Sequence, residues 1–167
     1  MRIRREEVQD IPRIRAVNIT AFGSATEANI VEHLRSDARD VVSLIAEQSG
    51  EVIGHIMFSP VRVIGAPDLH AMGLAPMAVI PQRQRTGIGS ELVRAGLEKC
   101  RRLGAGAVFV VGHPSYYPRF GFSPASGFGF KCEFDVPDEV FMVAELFPGA
   151  LAGQSGLVHF HEAFRDG

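Results

Sequence analysis

The part of the chain that most limits its fold runs from the extended segment HAMGLAPMAVI to the apolar run AVFVVG, with the stretch VIPQRQRTGIGSELV between them. From Gly87 to Leu103 the apolar residues Ile88, Leu92, Val93, Leu97 and Cys100 recur three and four apart, which places them on one face of a helix. AVFVVG is too short for a helix and apolar throughout, as expected of a strand buried on both sides. Strand, helix and strand in that order predict a βαβ unit. A chain that contains one must build a sheet with a helix lying across it.

The flanking segments fill out that sheet. Ile3 begins a short extended segment, and Asp10 precedes Ile11 and Pro12 as the expected N-cap of a helix through Ile14, Val17, Ile19 and Phe22. Ser24 and Glu27 have the S-x-x-E spacing of a capping box, which predicts a second helix through Ile30, Val31 and Leu34 ending near Ser36. VVSLIAEQ and EVIGHIMFSPVRV, divided at Ser49-Gly50, predict a β-hairpin, with Gly54 marking a bulge or a close approach. VFMVAELF and GLVHFHEAF, separated by Pro148-Gly149, predict two further strands. The fold class is α+β, a mixed sheet of about six or seven strands with helices on both faces, and 1–167 is expected to form a single domain.

Composition removes several classes of function. A net charge of −2 and a pI near 6.3 do not suit a nucleic-acid-binding domain. The apolar runs fall short of the roughly 20 residues that span a bilayer, and MRIRREEVQDIPRI has no apolar signal core, so a cytoplasmic protein without membrane contact is expected. Cys100 and Cys132 stand far apart with no Cys or His at zinc-ligand spacing, so neither a disulfide framework nor a metal is expected.

The central turn carries chemistry. A helix start leaves backbone N–H groups unpaired and adds a positive dipole end, so it attracts phosphate. Gly87 and Gly89 let an anion approach the backbone closely, and Arg83 and Arg85 add positive charge. A P-loop needs Gly-Lys-Ser/Thr, but Ser90 and Glu91 follow Gly89. A dinucleotide fingerprint needs a third small residue where Leu92 stands.

Gln84-x-x-Gly87-x-Gly89, after a strand and opening a helix, resembles the acetyl-CoA signature of the GNAT superfamily of N-acetyltransferases. YYPRFGF resembles that family's aromatic-x-x-x-Gly-Phe closing motif, and GHPSYYPRFGF is similar to its bacterial YhbS-like branch. The resemblance covers Met1 to about Phe130 and implies a mostly antiparallel central sheet. It implies acetyl-CoA as cosubstrate, with the pyrophosphate on Gln84, Arg85, Thr86, Gly87, Ile88, Gly89 and Ser90. The pantetheine arm would lie along Met77, Ala78 and Val79. Pro76 supports this independently, because a proline within a strand marks an edge or bulge where a ladder opens.

The resemblance further implies that Tyr117, four residues before Gly121, donates a proton to the departing sulfur, while Tyr116 is expected to pack in the turn. A backbone N–H near Val79 could polarise the thioester carbonyl. A primary amine near pKa 10.4 must lose a proton before it attacks. Several relatives carry a glutamate on the fourth strand for this, but HAMGLAPMAVI has no carboxylate. Glu27, Glu32, His55, His70 and His113 are alternatives, none preferred, with Glu27 expected in its capping box and His55 in a local hydrogen bond. Cys100 reads as core rather than nucleophile, and Lys99, Arg101 and Arg102 suit a helix C-terminus.

The sequence therefore predicts an N-acetyltransferase that moves acetyl from acetyl-CoA to a primary amine of a small-molecule or peptide acceptor by direct attack in a ternary complex. The alternative is a non-catalytic acetyl-CoA-binding sensor. Glu133, Asp135, Asp138 and Glu139 read as a solvated acidic loop, and a homodimer is compatible with the chain.

Overall fold

In the computed structural model, residues 1–165 are described; residues 166 and 167, the end of the expected domain, lie outside them. Strand β1 (Arg2–Arg5) leads to helices α1 (Ile11–Phe22) and α2 (Thr26–Asp37), followed by β2 (Val42–Gln48), β3 (Glu51–Ile64) and β4 (Ala71–Val79). Helix α3 (Ile88–Arg102) then crosses to β5 (Ala107–Val111). Four shorter strands follow: β6 (Ser123–Pro124), β7 (Phe130–Cys132), β8 (Phe141–Glu145) and β9 (Gly156–His159). The main path of the sheet runs β1-β2-β3-β4-β5-β8-β6, with β9 joined to the end of β3 and β7 joined to β9. Along that path only β4 and β5 run parallel, as a βαβ crossover requires.

Alternation along the strands assigns the two faces. Leu44, Ile56, Phe58 and Met72 pack with Leu92, Val93 and Cys100 of α3. Ile45, Met57 and Ala78 pack with Ile14, Val17, Val31 and Leu34 of α1 and α2. A third cluster, around Phe109, Phe130, Phe141 and Phe160, closes the end where β7 and β9 join. The β2–β3 hairpin turns through Ser49 and Gly50 at φ 53° and 79°, both left-handed, as a two-residue turn of matching twist needs. No described helix is long and apolar enough to cross a membrane.

Several local expectations are corrected. Helix α2 begins one residue later than a Ser24–Glu27 capping box requires, because Ala25 holds the N-cap position and makes no side-chain cap. The Ser24 hydroxyl instead accepts from the Thr26 N–H at 3.4 Å. Asp10 does occupy the N-cap of α1, yet its carboxylate turns back to accept from Glu7 N–H at 2.7 Å and from the Arg4 guanidinium at 2.8 Å. The expected strand GLVHFHEAF stops at His159, since the Phe160 N–H goes to the Glu133 carboxylate rather than to a ladder partner. Gly54 is a close approach: a Cβ there would lie 3.1 Å from Leu92 Cδ1.

Candidate active site

β4 and β5 pair only at Ala71–Gly73 against Ala107–Phe109. Past Gly73 the two strands part, and β4 breaks register with β3 between Ile56 and Phe58, opposite Ala75 and Pro76. The parting opens a cleft of about 1020 Å³ with Leu74, Pro76, Met77 and Val79 on one wall and Val110, Val111 and Gly112 on the other. Pro76 thus lies where its missing N–H costs no ladder bond to β5.

At the base of the cleft stands the start of α3. Gly87 is the N-cap at φ 91°, a left-handed conformation that a side chain would strain, and no side chain caps the helix. Its first N–H groups are therefore free for an anion. A Cβ at Gly89 would lie 3.4 Å from both Met77 Cε and the Tyr116 hydroxyl, so the turn, the open strand and the YYPRFGF loop converge there. Gln84 Nε2 donates to the Val79 carbonyl at 3.0 Å, tying the turn to the strand end.

Met77, Val79, Gln84, Arg85, Gly87, Gly89 and Ser90 all line the cleft. Ala78 instead packs toward α1, Ile88 points into the α3 core, and the Thr86 hydroxyl donates to the Arg83 carbonyl. Arg83 itself donates to Gln48 and leaves Arg85 as the cation of the turn that faces the cleft.

Tyr117 lines the cleft but is otherwise buried, with its ring over Gly112, where a Cβ would overlap it, and edge-on to Phe122 at 5.5 Å. Burial, with Tyr116 beside it, pushes its phenol up to about 12. Tyr116 does more than pack. Its hydroxyl is 3.0 Å from Ser90 Oγ, and the Arg119 guanidinium lies over its ring at 4.6 Å. The sequence holds no signal for that link, which depends on the loop folding back onto α3.

Of the groups weighed for deprotonating the amine, Glu27 and His113 line the cleft. Glu32 is paired with Arg15 at 3.1 Å. His55 is wholly buried: Asn18 Nδ2 sits 3.3 Å from its Nδ1, and Ser43 Oγ 2.9 Å from its Nε2. Asn18 can only donate there, so the ring is neutral with its proton on Nε2. Burial pushes its pKa down to about 4. Phe164, near the far end of the chain, also reaches the cleft, a contact with no local sequence signature.

Residues 11–122 match the Acetyltransferase (GNAT) family, about two-thirds of the chain. The chain belongs to the GNAT acetyltransferase family. This GNAT chain is 39% identical, over 98% of its own length and 98% of the relative's, to an Escherichia coli K12 protein described as an uncharacterized N-acetyltransferase, YhbS. It superposes on the crystal structure of E. coli YhbS in complex with CoA with a TM-score of 0.92 and 38% identity, covering 98% of this chain and 91% of that one. A GNAT family acetyltransferase from Brucella melitensis in complex with acetyl-CoA gives a TM-score of 0.80 at 37% identity, covering 98% and 97%. The chain is an acyltransferase of GNAT type.

Proposed function

We propose that residues 1–167 form one domain that transfers acetyl from acetyl-CoA to a primary amine in a ternary complex. The observation that carries this reading is the meeting of an uncapped helix start and a parted pair of strands in one cleft. Such a cleft offers a diphosphate its N–H groups and an amide-bearing arm an open strand edge. The relatives crystallised with CoA and with acetyl-CoA support the same cosubstrate here.

The pyrophosphate sits on the turn from Gln84 to Ser90, with Arg85 beside it, and the pantetheine arm follows Met77 to Val79. Ala78, Thr86 and Ile88 take part through their backbone, since their side chains face elsewhere. The amine nitrogen attacks the thioester carbonyl carbon, the C–S bond breaks, and the products are the N-acetyl amine and the CoA thiol. The amine proton leaves to water or to His113, which lines the cleft, and solvent returns one proton to the departing sulfur, so that the protons balance. Tyr117, with its phenol near 12, stays protonated throughout the working range. Its contribution is therefore a hydrogen bond to the sulfur as charge develops there, a donor already in place.

The missing carboxylate on the fourth strand is the one feature that suits a non-catalytic sensor, and Tyr117, lining the cleft where the sulfur departs, opposes it. The test is calorimetric titration with acetyl-CoA, followed by thiol release in the presence of a mixed pool of primary amines. Binding with amine-dependent release is expected. No binding, or binding with no release above hydrolysis, overturns the assignment.

A further inference from the structure

We propose that the acceptor is a monocationic amine carried on an apolar body, an arylalkylamine or alkylamine, whose ammonium group is drawn in by Glu27; this rests on reading the cleft as the acetyl-CoA site. The argument comes from how charge is divided along the cleft walls. Its cationic side chains, Arg85 and Arg119, belong to the turn before α3, on which the proposed pyrophosphate sits, and to the YYPRFGF loop beside it. The opposite wall is built by α1, α2 and the C-terminal segment, and it presents Phe22, Ile30 and Phe164 around one carboxylate, Glu27.

Glu27 has no ion pair among the described residues, unlike its neighbours on α2, where Glu32 is held by Arg15 and Asp37 by His161 at 2.8 Å. It is free because α2 starts at Thr26, which removes the capping role that its spacing suggests. A half-buried carboxylate with no ion pair, in a cleft lining that also carries the rings of Phe22 and Phe164, is a receptor for one cation.

Phe22 leaves 43% of its surface exposed, a ring available to an incoming apolar group. Phe164 is fixed from behind by Phe160, with ring centroids 6.1 Å apart, and by the buried Ala163. A polyamine needs several carboxylates, but this wall has one, and two acids of the loop that follows β7 are already engaged. Glu133 is bound by Arg165 at 2.9 Å, and Asp138 by the Ser126 hydroxyl at 2.8 Å. A free amino acid would bring a carboxylate to a wall that holds no cation.

The test uses the full chain with acetyl-CoA, reading thiol release against 2-phenylethylamine, hexylamine, spermidine and glutamate, for the wild type and Glu27→Gln. The expected result is kcat/KM at least about ten-fold higher for the first two amines. In Glu27→Gln the KM for 2-phenylethylamine should rise about ten- to a hundred-fold, the loss typical of a charge-assisted contact, with kcat and the acetyl-CoA KM little changed. The thermal midpoint of Glu27→Gln, matched to wild type, shows that the fold is intact. Preference for spermidine or glutamate, an unchanged KM in the variant, or a fall confined to kcat overturns the proposal. If all four amines are inert while calorimetry still detects acetyl-CoA, the acceptor class is wrong and the cofactor site stands; if acetyl-CoA does not bind, both fall.

Discussion

His55 stands in a single line of donors: Asn18 to His55, His55 to Ser43, Ser43 to Glu6, with Arg35 donating to Glu6 from the other side at 2.7 Å. Its pKa is near 4 folded and near 6.5 unfolded, so between those values the unfolded chain binds more protons. This contribution is complete above about pH 6.5, falls as the pH drops, and reaches a total loss of about 3 kcal/mol near pH 4. Burial also raises the Glu6 carboxyl, but its bonds from Arg35 and Ser43 outweigh that and leave it lowered, so its share is lost at lower pH still. Urea unfolding from pH 6.5 to 4 should therefore show a stability slope that His55→Gln reduces by up to about 1.4 kcal/mol per pH unit; equal slopes in variant and wild type refute the buried neutral imidazole. Tyr117→Phe should lower kcat about a hundred-fold with acetyl-CoA affinity kept, and the wild-type rate should show no alkaline limb from this phenol until the pH nears about 12. Turnover unaffected by Tyr117→Phe would remove its role at the sulfur. The helix start at Gly87 is legible in the sequence because a glycine before an apolar period marks it locally, whereas the proposed role of Tyr117 comes only from the family resemblance. The freedom of Glu27 is not legible there, since it turns on a one-residue shift in where α2 begins, and Phe164 reaches the cleft only through tertiary folding.

Helix α3 lies tightly on the sheet because Gly96 faces the ring of Phe58, where a Cβ would overlap it. Phe58 is fully buried in the main cluster and has little room to yield. Gly96→Ala gains about 0.5–1 kcal/mol of helix propensity but overfills this contact by typically 1–3 kcal/mol. The midpoint of thermal unfolding should fall by a few degrees; a rise would mean that the helix can lift without loss. The hairpin, the βαβ unit and all three helices are readable from long apolar periods bounded by turn residues. β6 and β7 are not, for two and three residues carry no period of their own and become strands only by pairing with β8 and β9.

The whole molecule joins these parts around the cleft, and a ligand that fills it should raise stability by mass action. Acetyl-CoA at a hundred times its dissociation constant adds about 2.7 kcal/mol, which in a domain of this size shifts the midpoint by roughly 5–10 °C. Differential scanning calorimetry with and without acetyl-CoA measures this, and an unmoved midpoint at millimolar ligand contradicts a preformed site. Beyond Gly73, β4 turns toward β5 an edge with no ladder partner among the described residues. A surface made of peptide groups recognises by spacing and direction, and it is indifferent to the identity of the residues that supply it. Met77 and Val79 can therefore be exchanged for others of similar bulk without altering what docks along them, whereas a change that drew β5 back alongside β4 would erase the berth while leaving every one of its lining residues in the sequence.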